Sequence, residues 1–219
     1  MKNYLEMLKK CPLFSDINEA DLEKMLFCLG AKVVEFDKKY TILREGDEAR
    51  YVGILLFGSA QIVQMDYYGN RNIIGIVNPG EMFGESFAAA GVKSLPISVI
   101  ASDRCIVMLI ECHRILYTCR GGCDFHRQLI YNLMKSLATK NILFHQRIEI
   151  TSKRTTREKL MAYLMLMAKR AGKSSFDIPF DRQELADYLE VDRSGLSAEI
   201  SKMRHEGVLE CHKNHFVLL

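Results

Sequence analysis

DRQELADYLEVDRSGLSAEISKMRHEGVLE, residues 181–210, holds two short helical patterns set around a sharp turn. Asp181 and Glu184 stand three apart, the spacing of a capping box with aspartate as the cap, and Leu185, Ala186 and Leu189 give the first helix its inner face. Asp192 caps the second helix, in which Leu196, Ile200 and Met203 fall on one side and Gly207 supplies the left-handed residue that ends it. The opposite side carries Ser194, Ala198, Ser201, Lys202 and His205, with Arg193 and Ser197 at its margins. A face of small and hydrogen-bonding groups can enter a DNA major groove. Residues 208–219 alternate around Lys213 and Asn214 as a small hairpin, which completes a winged helix-turn-helix. Spacing alone also fits two capped amphipathic helices that merely pack on a core, so it does not carry the function by itself.

Upstream of this module, residues 174–180 read as a strand leading into it and residues 153–169 as a helix. Residues 123–150 run without Gly or Pro and place Leu129, Leu133, Leu137, Phe144 and Ile148 close to one stripe. A helix of that length is about 40 Å long, too long for a small domain to bury alone, and a partner helix, hence a homodimer joined along those five residues, is the economical expectation. Residues 31–110 change to short alternating or apolar runs at 33–36, 51–57, 61–65, 72–77, 97–101 and 105–110, broken at Gly46, Gly58, Gly69 and Gly80. Regular short strands with glycine turns predict an antiparallel barrel or sandwich. Residues 2–29 fit two short helices. The expected fold is therefore α+β, with parts at 1–120, 121–150 and 151–219.

Composition sets the outer limits. A chain of 219 residues, 48% hydrophobic and 26% charged, suffices for one large domain or two modest ones. A net charge of +3 permits a polyanionic partner without demanding one. No secretory leader follows Met1 and no apolar run approaches a membrane span, so a cytoplasmic protein with no membrane partner is expected. Seven cysteines, an odd number at low density, fit reduced thiols.

The stretch 181–209, the order strands, long helix, winged module, and the turns LREGD at 43–47 and FGE at 83–85 together resemble the Crp/Fnr family of bacterial transcription regulators over essentially the whole chain. The resemblance implies an amino-terminal double-stranded, jelly-roll-like β-roll that senses a small effector, a long helix forming a parallel dimer interface, and a carboxy-terminal DNA-binding domain. It also implies a double-stranded DNA operator as partner, allows RNA polymerase as another, and makes the protein a regulator and not an enzyme. Carried onto this chain, the base-contacting positions of the recognition helix are Arg193, Ser194, Ser197 and Ala198, with Lys202 farther along. The family's better-known pattern has glutamate where Ser194 stands and arginine where Ala198 stands, so the operator need not match its best-known half-sites. Arg193 is left as the residue able to read a guanine bidentately.

For the effector, the resemblance points to Gly84, Glu85 and Ser86. Members that bind cyclic nucleotides follow this turn with an Arg-Ser pair around the phosphate, and this chain has Leu95-Pro96 there, with Lys93-Ser94 two residues earlier. Lysine cannot copy the planar arginine fork. Phe144 and His145 stand where those members offer small hydroxyls to the purine. A less charged effector than cyclic AMP is expected, and Glu85 is equally readable as a carboxylate closing a turn. Oxygen-sensing members hold an iron–sulfur cluster through clustered amino-terminal cysteines; Cys11 and Cys28 are isolated, and no such cluster is expected. CHRILYTCRGGCDFH, residues 112–126, suggests a second sensor, in which Cys112, Cys119 and Cys123 respond to redox state or Cys119, Cys123 and His126 hold a metal; the plainer reading is small buried thiols and a solvated histidine. A cupin-like metal enzyme is disfavoured, because none of the six histidines precedes His113 and the strands therefore offer no histidine ligand.

Overall fold

The computed structural model describes residues 4–65, 67, 71–117 and 124–219. Two compact units divide the chain, Met1–Thr139 and Lys140–Leu219. The first opens with α1 (Leu5–Lys10), a 3-10 turn at Pro12–Phe14, and α2 (Glu19–Cys28), whose cap Asn18 accepts the amide of Asp21. Strands β1 (Lys32–Phe36), β2 (Thr41–Leu43), β3 (Tyr51–Phe57), β4 (Ala60–Met65), β5 (Arg71–Val77) and β6 (Met82–Phe83) follow. After them come α3 (Glu85–Ala89), β7 (Ser98–Ala101), β8 (Cys105–Glu111) and α4 (Cys112–Leu116). All pairings are antiparallel, in two four-stranded sheets of order β1-β8-β3-β6 and β2-β7-β4-β5, the expected sandwich.

The apolar run YVGILLF of β3 follows from burial on both faces. Its period of two sends Leu55 into the interior of the roll with Val77, Phe83, Val99 and Val107, while Val52, Ile54 and Leu56 face outward onto the amino-terminal helices. β8 divides likewise, Cys105 and Val107 inward, Met108 and Ile110 outward. Gly53 is required between them: a Cβ there would come within 2.2 Å of Cζ of its cross-strand neighbour Phe83, a fully buried ring.

The long helix α5 spans Asp124–Thr151. Leu129 and Leu133 are 0% and 2% exposed within the first unit's own core, beside residues of α1, α2 and α4. Asn132 holds the same face: its amide donates to the carbonyls of Leu13 (3.0 Å) and Ser15 (2.7 Å) and its oxygen accepts from Gln128 (3.0 Å). Three of the residues expected at a dimer seam, Leu129, Leu133 and Leu137, thus meet their own chain. The first two are consumed by their own chain and Leu137 packs partly against the same core. Met134, Phe144 and Ile148 are about 60% exposed.

The second unit contains α6 (Thr156–Ala171), started by a Thr155/Glu158 capping box and stopped by left-handed Gly172, then β9 (Ser175–Asp177). The strand expected over 174–180 is shorter, because Pro179 follows. Next come α7 (Arg182–Leu189), with the Asp181/Glu184 capping box, α8 (Arg193–His205), capped by Asp192, and the hairpin β10 (Leu209–His212) and β11 (His215–Leu218). The sheet order is β10-β11-β9. Leu160 and Leu164 of α6, Leu185 and Leu189 of α7, Leu196, Ile200 and Met203 of α8, and Phe216 of β11 form its core.

Candidate functional site

α8 buries Leu196, Ile200 and Met203 and exposes Arg193, Ser194, Ser197, Ala198, Ser201, Lys202, Arg204 and His205. The five positions expected to meet DNA therefore lie on its solvent side. At 100° per residue, Arg193 and Lys202 flank that side on opposite edges, with Ser194, Ser197 and Ala198 between them. The start of the helix is locally determined. Asp192 accepts the amide of Gly195 (2.8 Å) and a short bond from the Ser194 hydroxyl, and these donors hold its carboxyl below the usual range, the hydroxyl foremost. With its proton committed to Asp192, Ser194 presents lone pairs outward and suits a donor such as a base amino group. Arg157 ties the far end of α8 to α6 by donating to Glu206 at 2.5 Å, which lowers the Glu206 carboxyl and raises the guanidinium.

A groove of about 380 Å³ runs between α8 and the wing, lined by Arg182, Ser197, Ser201, Arg204, His212 and Lys213. Arg182 is held there by two contacts, its guanidinium carbon 5.9 Å from the Phe216 ring centroid and Nη2 3.4 Å from the Cys211 sulfur. Among the described residues, Arg193, Lys202, Arg204 and Lys213 take part in no ion pair. Arg182, Arg204, His212 and Lys213 escape the sequence reading because the groove exists only once the wing folds back on α8. Helix phase was the available signal, since Arg204 follows Ser197 by seven residues and shares its side.

On the neighbouring sheet edge, Ser175 Oγ lies 3.0 Å from Nε2 of His215, and Asp177 Oδ1 2.9 Å from Nδ1. The order Ser, His, Asp is that of a hydrolase triad, but the Asp177 side chain is 72% exposed, where a triad needs a desolvated carboxylate. Both partners sit on β9 beside β11, two residues apart on one face, and the bonds fasten the third strand to the wing.

In the first unit Gly84, with φ of 76°, caps α3, and a Cβ on it would lie 2.9 Å from Leu43 Cδ1. Glu85 is 2% exposed and Ser86 exposed. Lys93 and Ser94 lie exposed on the turn that follows α3. Leu95 is buried in a segment pinned by Leu95 N to Asp47 O (2.8 Å) and Gly46 N to Leu95 O (2.9 Å). Phe144 and His145 are exposed on the part of α5 that belongs to the second unit.

Of the second sensor, Cys119 and Cys123 lie outside the described residues, as does the expected boundary at 120. Cys112 is 3% exposed, and burial pushes its thiol up, away from the thiolate that redox exchange requires. His126 is not the solvated side chain expected: it is 2% exposed and its Nε2 lies 3.0 Å from the Arg114 carbonyl. No metal-holding group of His, Cys, Asp or Glu occurs among the described residues. No described helix is long and apolar enough to cross a membrane.

Two family models match the chain, the cyclic nucleotide-binding domain over residues 33–119 and the Crp-like helix-turn-helix domain over residues 158–219. The transcriptional activator protein FnrL of Cereibacter sphaeroides is 22% identical over 82% of this chain and 73% of its own. The cGMP-dependent protein kinase 2 of Mus musculus is 25% identical, but this chain spans only 28% of its length, so no kinase chemistry follows. In fold, the c-di-GMP responsive global regulator CLP of Xanthomonas campestris superposes with a TM-score of 0.58 at 16% identity, covering 91% of this chain and 99% of its own. A sensor-domain match on the antiparallel roll and a helix-turn-helix match on the capped pair α7 and α8 place the chain in the Crp/Fnr family, as a transcription regulator with an effector-binding β-roll and a DNA-binding helix-turn-helix.

Proposed function

We propose that the chain acts as a homodimer on a double-stranded DNA operator, reads it with Arg193, Ser194, Ser197 and Ala198, and answers to a small effector other than cyclic AMP. Residues 1–120 serve sensing, 121–150 dimerisation and 151–219 DNA binding, with RNA polymerase as a further partner and the cytoplasm as the setting. The observation that carries the DNA reading is the solvent side of α8, where Arg193, Lys202 and Arg204 stand without ion-pair partners among the described residues beside the basic groove. Cations left unpaired in the free protein are those that displace counterions from phosphates or read base edges. The dimer seam runs along Met134, Asn141, Phe144 and Ile148, spaced seven, three and four apart and all exposed. A selection of binding sites from random DNA tests the reading, with enrichment of a two-fold symmetric sequence as its expected product.

The effector reading rests on Leu95. A charge at this pinned, buried position would be desolvated, and the nearby Lys93 is a point charge on an exposed turn, without a planar fork for a cyclic phosphate. Calorimetric titration with cyclic AMP is expected to show no saturable heat at micromolar concentrations. A micromolar Kd for cyclic AMP would overturn this exclusion.

A further inference from the structure

The last turns of α5 fall within the second unit, where Ile150 joins the core and Gln146 accepts from Arg170 at 2.5 Å. Between these two stands Arg147, which makes a pair of contacts with the turn of the helix-turn-helix. Its guanidinium carbon lies 5.4 Å from the centroid of the Tyr188 ring, and Nη2 is 3.7 Å from Glu190 Oε1. Tyr188 is the penultimate residue of α7 and is itself braced by Phe180 and Tyr163, with ring centroids 5.0 and 5.2 Å away. Glu190 occupies the left-handed region, φ 54°, at the point where the chain leaves α7 and turns toward Asp192 and Arg193. A residue other than glycine held there needs surrounding contacts to keep it, and Lys159 of α6 donates to its carbonyl at 3.3 Å.

We propose that Arg147 is a positioning residue for DNA recognition: by stacking on Tyr188 and facing Glu190, it fixes the turn that aims the amino-terminal end of α8 and thereby couples the end of α5 to base readout. This deepens the DNA-binding reading and rests on it. A planar guanidinium suits the task because it stacks flat on a tyrosine while its edge meets a carboxylate, and an ammonium cannot do both. Arg147 meets the turn only in space; in sequence more than forty residues separate it from Glu190, so a rotation of the α5 end reaches the turn directly through this side chain.

The test uses the full chain, as wild type and as Arg147→Ala, Arg147→Lys, Tyr188→Leu and the Arg147→Ala/Tyr188→Leu double variant. Each is titrated by fluorescence anisotropy on a duplex selected from random DNA and on a scrambled duplex of equal length, across a salt series, with circular dichroism melts beside it. Arg147→Ala and Tyr188→Leu are each expected to weaken binding to the selected duplex about tenfold and to leave the scrambled duplex within about twofold, with the double variant no worse than either single one. Arg147→Lys is expected not to restore discrimination. Because Arg147 sits at the surface, its two variants decide the matter even where Tyr188→Leu fails to fold. Equal losses on both duplexes with a shallower salt slope would make Arg147 a phosphate contact and overturn the proposal, as would full rescue by lysine or additive effects of the two substitutions. A wild-type chain that does not discriminate between the duplexes would instead refute the DNA-binding reading and this inference with it.

Discussion

Leu133→Asp is expected to unfold the β-roll unit, and not to release folded monomers. Leu133 is 2% exposed in a core shared with α1, α2 and α4, so the substitution removes a buried aliphatic side chain and leaves a carboxylate without water or an opposite charge. Losing the leucine alone is worth about 2–5 kcal/mol, and the stranded carboxylate adds to it, against a total stability of about 5–15 kcal/mol for a typical domain. Urea denaturation followed by circular dichroism measures the loss. Phe144→Asp makes the contrasting case: Phe144 is 61% exposed, so the fold keeps its stability within about 0.5 kcal/mol, while sedimentation shifts from dimer to monomer because charges would face each other across the seam. A well-folded, monomeric Leu133→Asp protein would restore Leu133 to the interface and refute its place in the core beneath the amino-terminal helices.

The second large effect belongs to α8. Arg193→Ala is expected to cost about 1–3 kcal/mol per half-site and to relax preference at a single base pair, since a guanidinium at the start of the helix can bond O6 and N7 of guanine together. Lys202, on the opposite edge of the exposed side, is expected to behave differently: Lys202→Ala weakens binding evenly over all sequences and lowers the salt slope by about 1. Anisotropy on the operator and its single-base variants separates the two. If Arg193→Ala lowers affinity equally for every variant, Arg193 is a phosphate contact and base reading lies elsewhere on the helix.

What the sequence made legible was the local part. The caps at Asp181, Asp192 and Gly207 involve residues within three or four positions of the groups they satisfy, and β3 and β8 carry enough apolar residues to be read as strands. β2 and β6, of three and two residues, are too short to show any period, and α3 has too few residues for a helical face. The stripe on α5 illustrates a deeper limit. Leu129 and Leu133 announce that an apolar surface must cover them, but periodicity does not say whether that surface comes from the same chain or another copy, and here α1 and α2 supply it. Arg182 and Arg147 were illegible for the related reason that their partners, Phe216 with Cys211 and Tyr188 with Glu190, stand far away along the chain.

Whether α8 and the wing read a specific DNA duplex is decided by the affinity of the wild-type chain for a selected duplex and for its scrambled counterpart at several salt concentrations. Binding to the selected duplex is expected to be at least about 10³-fold tighter than to the scrambled one, with log K falling linearly in log salt as several phosphate contacts release counterions. Equal affinity for both duplexes, or no binding to either at low salt, would contradict it.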